Sequence, residues 1–223
     1  MMKLTFISDT HGLHKNITHD LPGGDILIHS GDFSNYGSKE DIKVFLNWFN
    51  SLQNYTYKIF IAGNHDRSFE ENPNFKNSIL KKFPYLTYLE DSEYNIEKVK
   101  IYGSPWQPAF CNWAFNLPRN GEELEKKWDL IPENLDILIT HGAPFGYLDG
   151  TQNIGVGCEL LRKRIDQIRP KIHIFGHIHG GYGYYFNGKT HFFNASVLDE
   201  KYYYNNLPLN IEWDNVTNEL NFY

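Results

Sequence analysis

Cysteine is nearly absent: the 223 residues include only Cys111 and Cys158. Two cysteines this far apart build no disulfide framework, which excludes the small stapled secreted folds. Long apolar runs are missing as well, and no stretch approaches the roughly 18 residues that span a bilayer. The first ten residues, MMKLTFISDT, lack the apolar centre of a secretory signal. A basic face is also lacking. The chain has 21 Lys and Arg against 27 Asp and Glu, a formal net charge of −6, and its basic residues are scattered. Binding a long phosphate backbone needs positive charge gathered on one side, so long nucleic acid is not an expected partner. These absences lead to the expectation of a cytoplasmic protein with no membrane segment. Apolar residues, at 41% with 16% aromatic, are enough for a sizeable core and exclude disordered and coiled-coil compositions.

Short apolar runs recur along the chain and stop abruptly. Leu4–Ile7 runs into Ser8-Asp9-Thr10-His11, and Ile26–Ile28 runs through His29-Ser30 into Gly31-Asp32. Lys58–Ala62 ends in Gly63-Asn64-His65-Asp66, Ile137–Thr140 in His141-Gly142, and Ile172–Phe175 in Gly176-His177-Ile178-His179-Gly180. Runs this short, rich in Ile and Phe, predict buried strands. Helices are predicted between them over Ser38–Leu52 (Ser38 as N-cap, with Asp41 three positions on), Asn74–Phe83, Glu122–Leu130 and Val156–Ile168. Two hairpins are expected near the end of the chain: Tyr182–Phe186 with Thr190–Asn194 around Asn187-Gly188, and Leu209–Trp213 with Glu219–Tyr223. Ser104–Pro118 reads as a long aromatic loop. Strand–helix alternation without a linker or internal repeat predicts one layered α/β domain over residues 1–223.

The chemistry sits at the strand ends. A single His or Asp after a strand is most often hydrogen-bonded structure, but here five successive ends each carry a residue that can bind a metal. In open α/β sheets such ends are where ligands collect. Asp9 and His11, and His177 and His179, are spaced i, i+2, which in extended backbone points both side chains to one side. With Asp32, Asn64 and His141 they offer seven oxygen and nitrogen ligands. That is too many for one tetrahedral ion and suits two ions with open positions. Hard carboxylate, imidazole and amide donors without thiolate favour Mn, Fe, Zn or Co over Mg or Ca. His14, His19, His29, His173 and His191 are read as structural.

The ordered set Asp9-x-His11, Gly31-Asp32, Gly63-Asn64-His65-Asp66, His141 and Gly176-His177-x-His179 resembles the calcineurin-like metallophosphoesterases. The segments Gly103–Leu117, Thr140–Asp149, Gly157–Leu161 and Arg169–Gly183 resemble its MPPED-like subgroup, which is similar to class III cyclic nucleotide phosphodiesterases. The resemblance implies a four-layer α/β/β/α sandwich with a dinuclear centre. It implies Asp9, His11 and His179 on a first ion, Asp32 bridging, and Asn64, His141 and His177 on a second. His65 resembles the histidine that reaches substrate, and Asp66 its supporting neighbour.

The reaction expected from that pattern is hydrolysis of small phosphodiesters, with 2′,3′-cyclic nucleotides as the leading example, by in-line attack of a metal-bound hydroxide. His65 would protonate the leaving oxygen. A phosphomonoesterase or protein phosphatase of the same fold is the first alternative, and a nucleotide-binding protein with weak catalysis the second; intact His65 and His177 count against the latter. Two lesser features complete the expectations. Trp106, Phe110, Trp113 and Phe115 form either a base-stacking wall or a loop packed on its own aromatics. Gly155-Val156-Gly157-Cys158 marks a helix entry, with Cys158 a structural thiol in its first turn.

Overall fold

The computed structural model describes residues 1–151 and 154–223. Strands β1 (Met2–Ile7), β2 (Gly24–His29), β3 (Tyr55–Phe60) and β4 (Leu86–Tyr88) lie parallel in that order. Helix α1 (Lys39–Ser51) crosses from β2 to β3, and α2 (Arg67–Glu71) and α3 (Pro73–Leu80) connect β3 to β4. A second sheet begins with the hairpin β5 (Ser92–Ile96) and β6 (Val99–Ser104). The loop after it holds a short parallel pair, β7 (Gln107–Pro108) and β8 (Asn116–Leu117). Helix α4 (Glu122–Asp129) leads into β9 (Ile137–Thr140), parallel to β6. Then come the short pair β10 (Gly150–Thr151) and β11 (Ile154–Gly155), helix α5 (Glu159–Ile168), and β12 (Ile172–Phe175) beside β9. The hairpin β13 (Gly183–Phe186) and β14 (His191–Asn194) completes the second sheet. Strands β15 (Leu209–Trp213) and β16 (Leu220–Phe222) return to the first sheet, where β15 pairs antiparallel to β1.

The two-residue period of the strands divides the interior into three cores. Leu4, Phe6, Ile26, Ile28, Ile59 and Ile61 from the first sheet meet Ile101, Ile137, Ile139, Ile172, Ile174 and Phe193 from the second. Their alternating neighbours face outward: Ile7, Leu27 and Phe60 pack with Phe45 and Phe49 of α1, while Leu138, Phe175 and Phe192 pack with Trp128 of α4 and Ile165 of α5. The inner strands β1, β2, β9, β12 and β14 are therefore covered on both faces over their last four residues, which is why those runs are almost continuously apolar. Each buried Ile or Phe contributes roughly 1.5–3 kcal/mol of transfer free energy. The architecture is the expected four-layer α/β/β/α sandwich.

Local signals behave as predicted where the chemistry is local. The Ser38 hydroxyl accepts from Asp41 N–H at 3.1 Å and caps α1. Lys58, buried in β3, donates to the carbonyls of Asn50 and Leu52 and so ties the end of α1 to the sheet. Other elements differ from expectation. The third helix starts at Pro73, and the fourth expected segment becomes helical only at Glu159, with Cys158 as its N-cap rather than within its first turn. The Cys158 sulfur accepts from Leu161 N–H, and burial pushes its thiol pKa up, consistent with a structural thiol. The β5–β6 hairpin and the short strand β4 were not anticipated. One side of β5 carries Glu93 and Asn95, which hides its alternation behind polar residues.

Candidate metal centre

The first three parallel strands and β9 and β12 all end toward one cleft, and the chain turns sharply as it leaves them. Asp9, His11, Asp32 and His177 all have left-handed backbone, with φ of 53°, 41°, 54° and 66°. The i, i+2 pairs thus converge by tight turns rather than by the extended backbone the spacing suggested. Left-handed conformation is costly for residues with a Cβ and accumulates at functional sites. Close approach explains the neighbouring glycines. A Cβ on Gly176 would strike the carboxylate of Asp9 and the Ser8 hydroxyl, and one on Gly31 would strike the His141 ring.

All eight predicted site residues meet in this cleft. Donor atoms of Asp9, His11 and His179 lie within 4.8 Å of one another, as do those of Asp32, His141 and His177, and those of His11, Asp32 and His65. Asn64 joins through its side-chain oxygen, 3.0 Å from His141 Nε2. His141 Nε2 stands 3.3 Å from an Asp32 oxygen, and His179 Nε2 stands 3.5 Å from an Asp9 oxygen. His11 Nε2 and His179 Nε2 are 3.4 Å apart. Two ligands about 2.1 Å from one tetrahedral ion are roughly 3.4 Å apart, so these separations suit atoms that share a cation.

Ring orientation is set from behind. His141 Nδ1 donates to the Ser30 carbonyl at 2.9 Å and His179 Nδ1 to that of Asp199 at 2.9 Å. His65 Nδ1 donates to the Asn35 carbonyl at 2.6 Å. Each bond turns Nε2 toward the cleft, which for His141 and His179 is the usual way a ligating histidine is presented. Asp9 accepts from His177 N–H at 3.0 Å and from the Ser196 hydroxyl at 2.7 Å. Asp66 accepts from the N–H groups of Ser34 and Gly63 and from the Ser34 hydroxyl, and so ties the Asp32 loop to the Asn64 loop.

The electrostatics fit cations. Burial alone would raise the pKa of Asp9, yet His179, His141 and His11 hold it well below the usual carboxylate range. Burial is likewise overcome at Asp32, by His141, His65 and His11. In return His141 and His179 are pushed up to about 9, against the opposing effect of burial, by Asp32 and Asp9 respectively. Burial takes His11 and His177 down to about 4. Two fully buried carboxylates kept ionised demand positive charge beside them. Asp66 differs: burial and the Asp32 charge push it up to about 8 despite its donors.

The aromatic loop divides. Phe115 is buried in the core, and Trp106 packs edge-on to it while donating Nε1–H to Asp91. Trp113 instead stacks on His65, with ring centroids 4.1 Å apart, and Phe110 lies 6.2 Å from His177. The loop is fastened to the cleft because Ala114 N–H donates to the Asn64 carbonyl.

Residues 2–181 match the calcineurin-like phosphoesterase family model. The chain belongs to the calcineurin-like phosphoesterase family. Metallophosphoesterase domain-containing protein 1 of Homo sapiens is 43% identical over 92% of this chain and 69% of its own length. A UPF0046 protein of Caenorhabditis elegans is 36% identical over 93% of this chain and 59% of its own. The crystal structure of TT1561 from Thermus thermophilus shares the fold, with a TM-score of 0.66 at 13% identity over 99% of this chain and 97% of that one. As a calcineurin-like phosphoesterase the protein is a metal-dependent phosphoester hydrolase, and the paired donor clusters match the dinuclear centres of that family. Among the described residues no helix is long and apolar enough to cross a membrane.

Sequence reasoning missed the supports. Ser30, Asn35 and Asp199 act through backbone carbonyls, which leave no side-chain signature. Ser196 and Tyr202 lie beyond the five motif blocks. Tyr202 packs against both His11 and His179, with ring centroids 4.8 and 5.0 Å away.

Proposed function

We propose that the protein is a phosphodiesterase for small phosphodiesters, with 2′,3′-cyclic nucleotides as the leading candidates. Asp9, His11 and His179 would hold a first ion, Asn64, His141 and His177 a second, and Asp32 would join both. Two such cations, from Mn, Fe, Zn or Co, supply Lewis acidity and a water activated at neutral pH. Asp9 and Asp32 stay ionised for that task, and the carbonyl bonds to His141 and His179 keep their Nε2 atoms turned inward. His65, held by Asn35 and stacked by Trp113, delivers a proton through Nε2 to the departing ester oxygen. Free thiols at Cys111 and Cys158 suit a reducing cytoplasm.

One observation carries the preference for diesters. Arg67, next to Asp66, and Arg119, on the wall of the adjoining cavity, are already engaged: Arg67 with Glu71, and Arg119 with the carbonyls of Val156 and Gly157 and with Glu159. A monoester dianion profits from a bidentate guanidinium clamp, whereas a diester monoanion needs none beyond the ions and His65. The test compares bis-p-nitrophenyl phosphate with p-nitrophenyl phosphate at equal metal loading, and then 2′,3′- with 3′,5′-cyclic nucleotides. Higher kcat/KM for the diester and for the 2′,3′ ring is expected. A clear excess for the monoester would replace this reading with a phosphatase.

A further inference from the structure

A cavity of about 600 Å³ opens beside the cluster and shares His177 and His179 with it. Its other walls include Phe110, Val156, Ile178 and Tyr202. A group esterified to phosphorus at the cluster would therefore enter a mainly apolar space, with Arg119 and Glu200 also on its wall, bordered by two aromatic rings. Of the two, Tyr202 is the more firmly placed. Its backbone is left-handed, with φ of 63°, a conformation that is a true outlier for a bulky side chain. The turn that imposes it is braced on Asp199, whose carboxylate accepts from the N–H groups of Lys201 and Tyr203 and whose carbonyl accepts from Tyr202 N–H. The same carbonyl orients His179. One turn thus positions a candidate ligand and a ring that remains 45% exposed at the cavity mouth. Strain retained at such a place points to use.

We propose that this cavity is the subsite for a flat aryl or heteroaryl ester substituent, with Tyr202 as its specificity-determining residue. The proposal rests on the phosphoesterase reading and adds the substituent and the side chain that selects it. A fixed ring receives a planar group with little loss of side-chain freedom, and stacking of this kind changes affinity by roughly tenfold to a hundredfold. The competing role, in which Tyr202 only shields His11 and His179, would affect all substrates alike.

The test holds the leaving group constant. Bis-p-nitrophenyl phosphate and methyl p-nitrophenyl phosphate both release p-nitrophenolate and differ only in the retained substituent. The wild type should prefer the aryl diester, Tyr202→Phe should keep that preference, and Tyr202→Gly should reduce it by about tenfold or more. Glycine accepts the left-handed turn without strain, so the variant should fold. In parallel, calorimetry on the Mn-loaded protein compares phenyl phosphate with methyl phosphate. Tighter binding of the phenyl ester, lost in Tyr202→Gly, is expected. If the wild type hydrolyses neither diester, the diesterase reading fails, while calorimetry still decides the subsite. An unchanged preference in Tyr202→Gly, or an equal loss for both substituents together with a loss of bound metal, would overturn the proposal.

Discussion

The first sheet brings Asp9, His11, Asp32 and Asn64 to the cleft, mostly oxygen donors, whereas the second brings only imidazoles, His141, His177 and His179. The supports of these side chains run in the opposite sense. Asp9, from the first sheet, is held by His177 N–H from the second, and His141, from the second, is held by the Ser30 carbonyl from the first. Each sheet thus orients donors of the other, so the cluster forms only when the sandwich closes. The difference in chemistry also separates functions. Under the proposed assignment the first sheet would supply Asp32, which serves both ions, while each imidazole of the second would serve one.

That contrast can be broken first at Asp32. Asp32→Ala should lower turnover by about a thousandfold, the upper end of the loss seen when a preorganised electrostatic element is removed, and should deplete both ions. Steady-state kinetics with metal analysis would check it, and loss of a single ion would erase the distinction between the sheets. His65→Ala should come next. It should retain metal and lose roughly 10²- to 10⁴-fold in kcat with alkoxide leaving groups, and less with p-nitrophenolate. Equal losses for the two leaving groups would leave His65 an electrostatic role only.

His177→Gly tests the second sheet alone. Weaker binding of one ion and a smaller loss of turnover, about ten- to a hundredfold, are expected. Its φ of 66° suits glycine, so thermal unfolding should show no loss of stability. Unfolding of this variant would instead make His177 a structural residue.

The smallest effect on turnover concerns His173, which lies on β12 and packs with Phe175 and Phe192. Burial lowers its pKa to about 3, against about 6.5 when unfolded. Between those values the unfolded chain binds the extra proton, so this contribution to stability is full above about pH 6.5 and falls as pH drops toward 3. His173→Leu should flatten the acid limb of metal-free stability by up to about 1.4 kcal/mol per pH unit. Denaturant midpoints from pH 4 to 7 would measure it, and parallel curves for the two proteins would contradict the assignment.

The same contrast explains how much was legible in the sequence. Side-chain donors at strand ends are visible because glycine and a change of polarity mark each end, and the eight residues singled out there do meet in one cleft. The inner and outer faces of the strands follow from period-two alternation. The left-handed turns at Asp9 and His11 were not legible, because non-glycine residues carry no mark of positive φ. The division of Trp113 from Phe115 depends on the Ala114–Asn64 bond, and Tyr202 on a turn far from any motif. These are products of packing between distant segments.

The central claim, that the two sheets together form one two-ion centre, is tested most directly by metal content. After loading with Mn and removal of excess, inductively coupled plasma mass spectrometry should find two ions per chain in the wild type. One ion or none, in a folded wild-type protein, would contradict it.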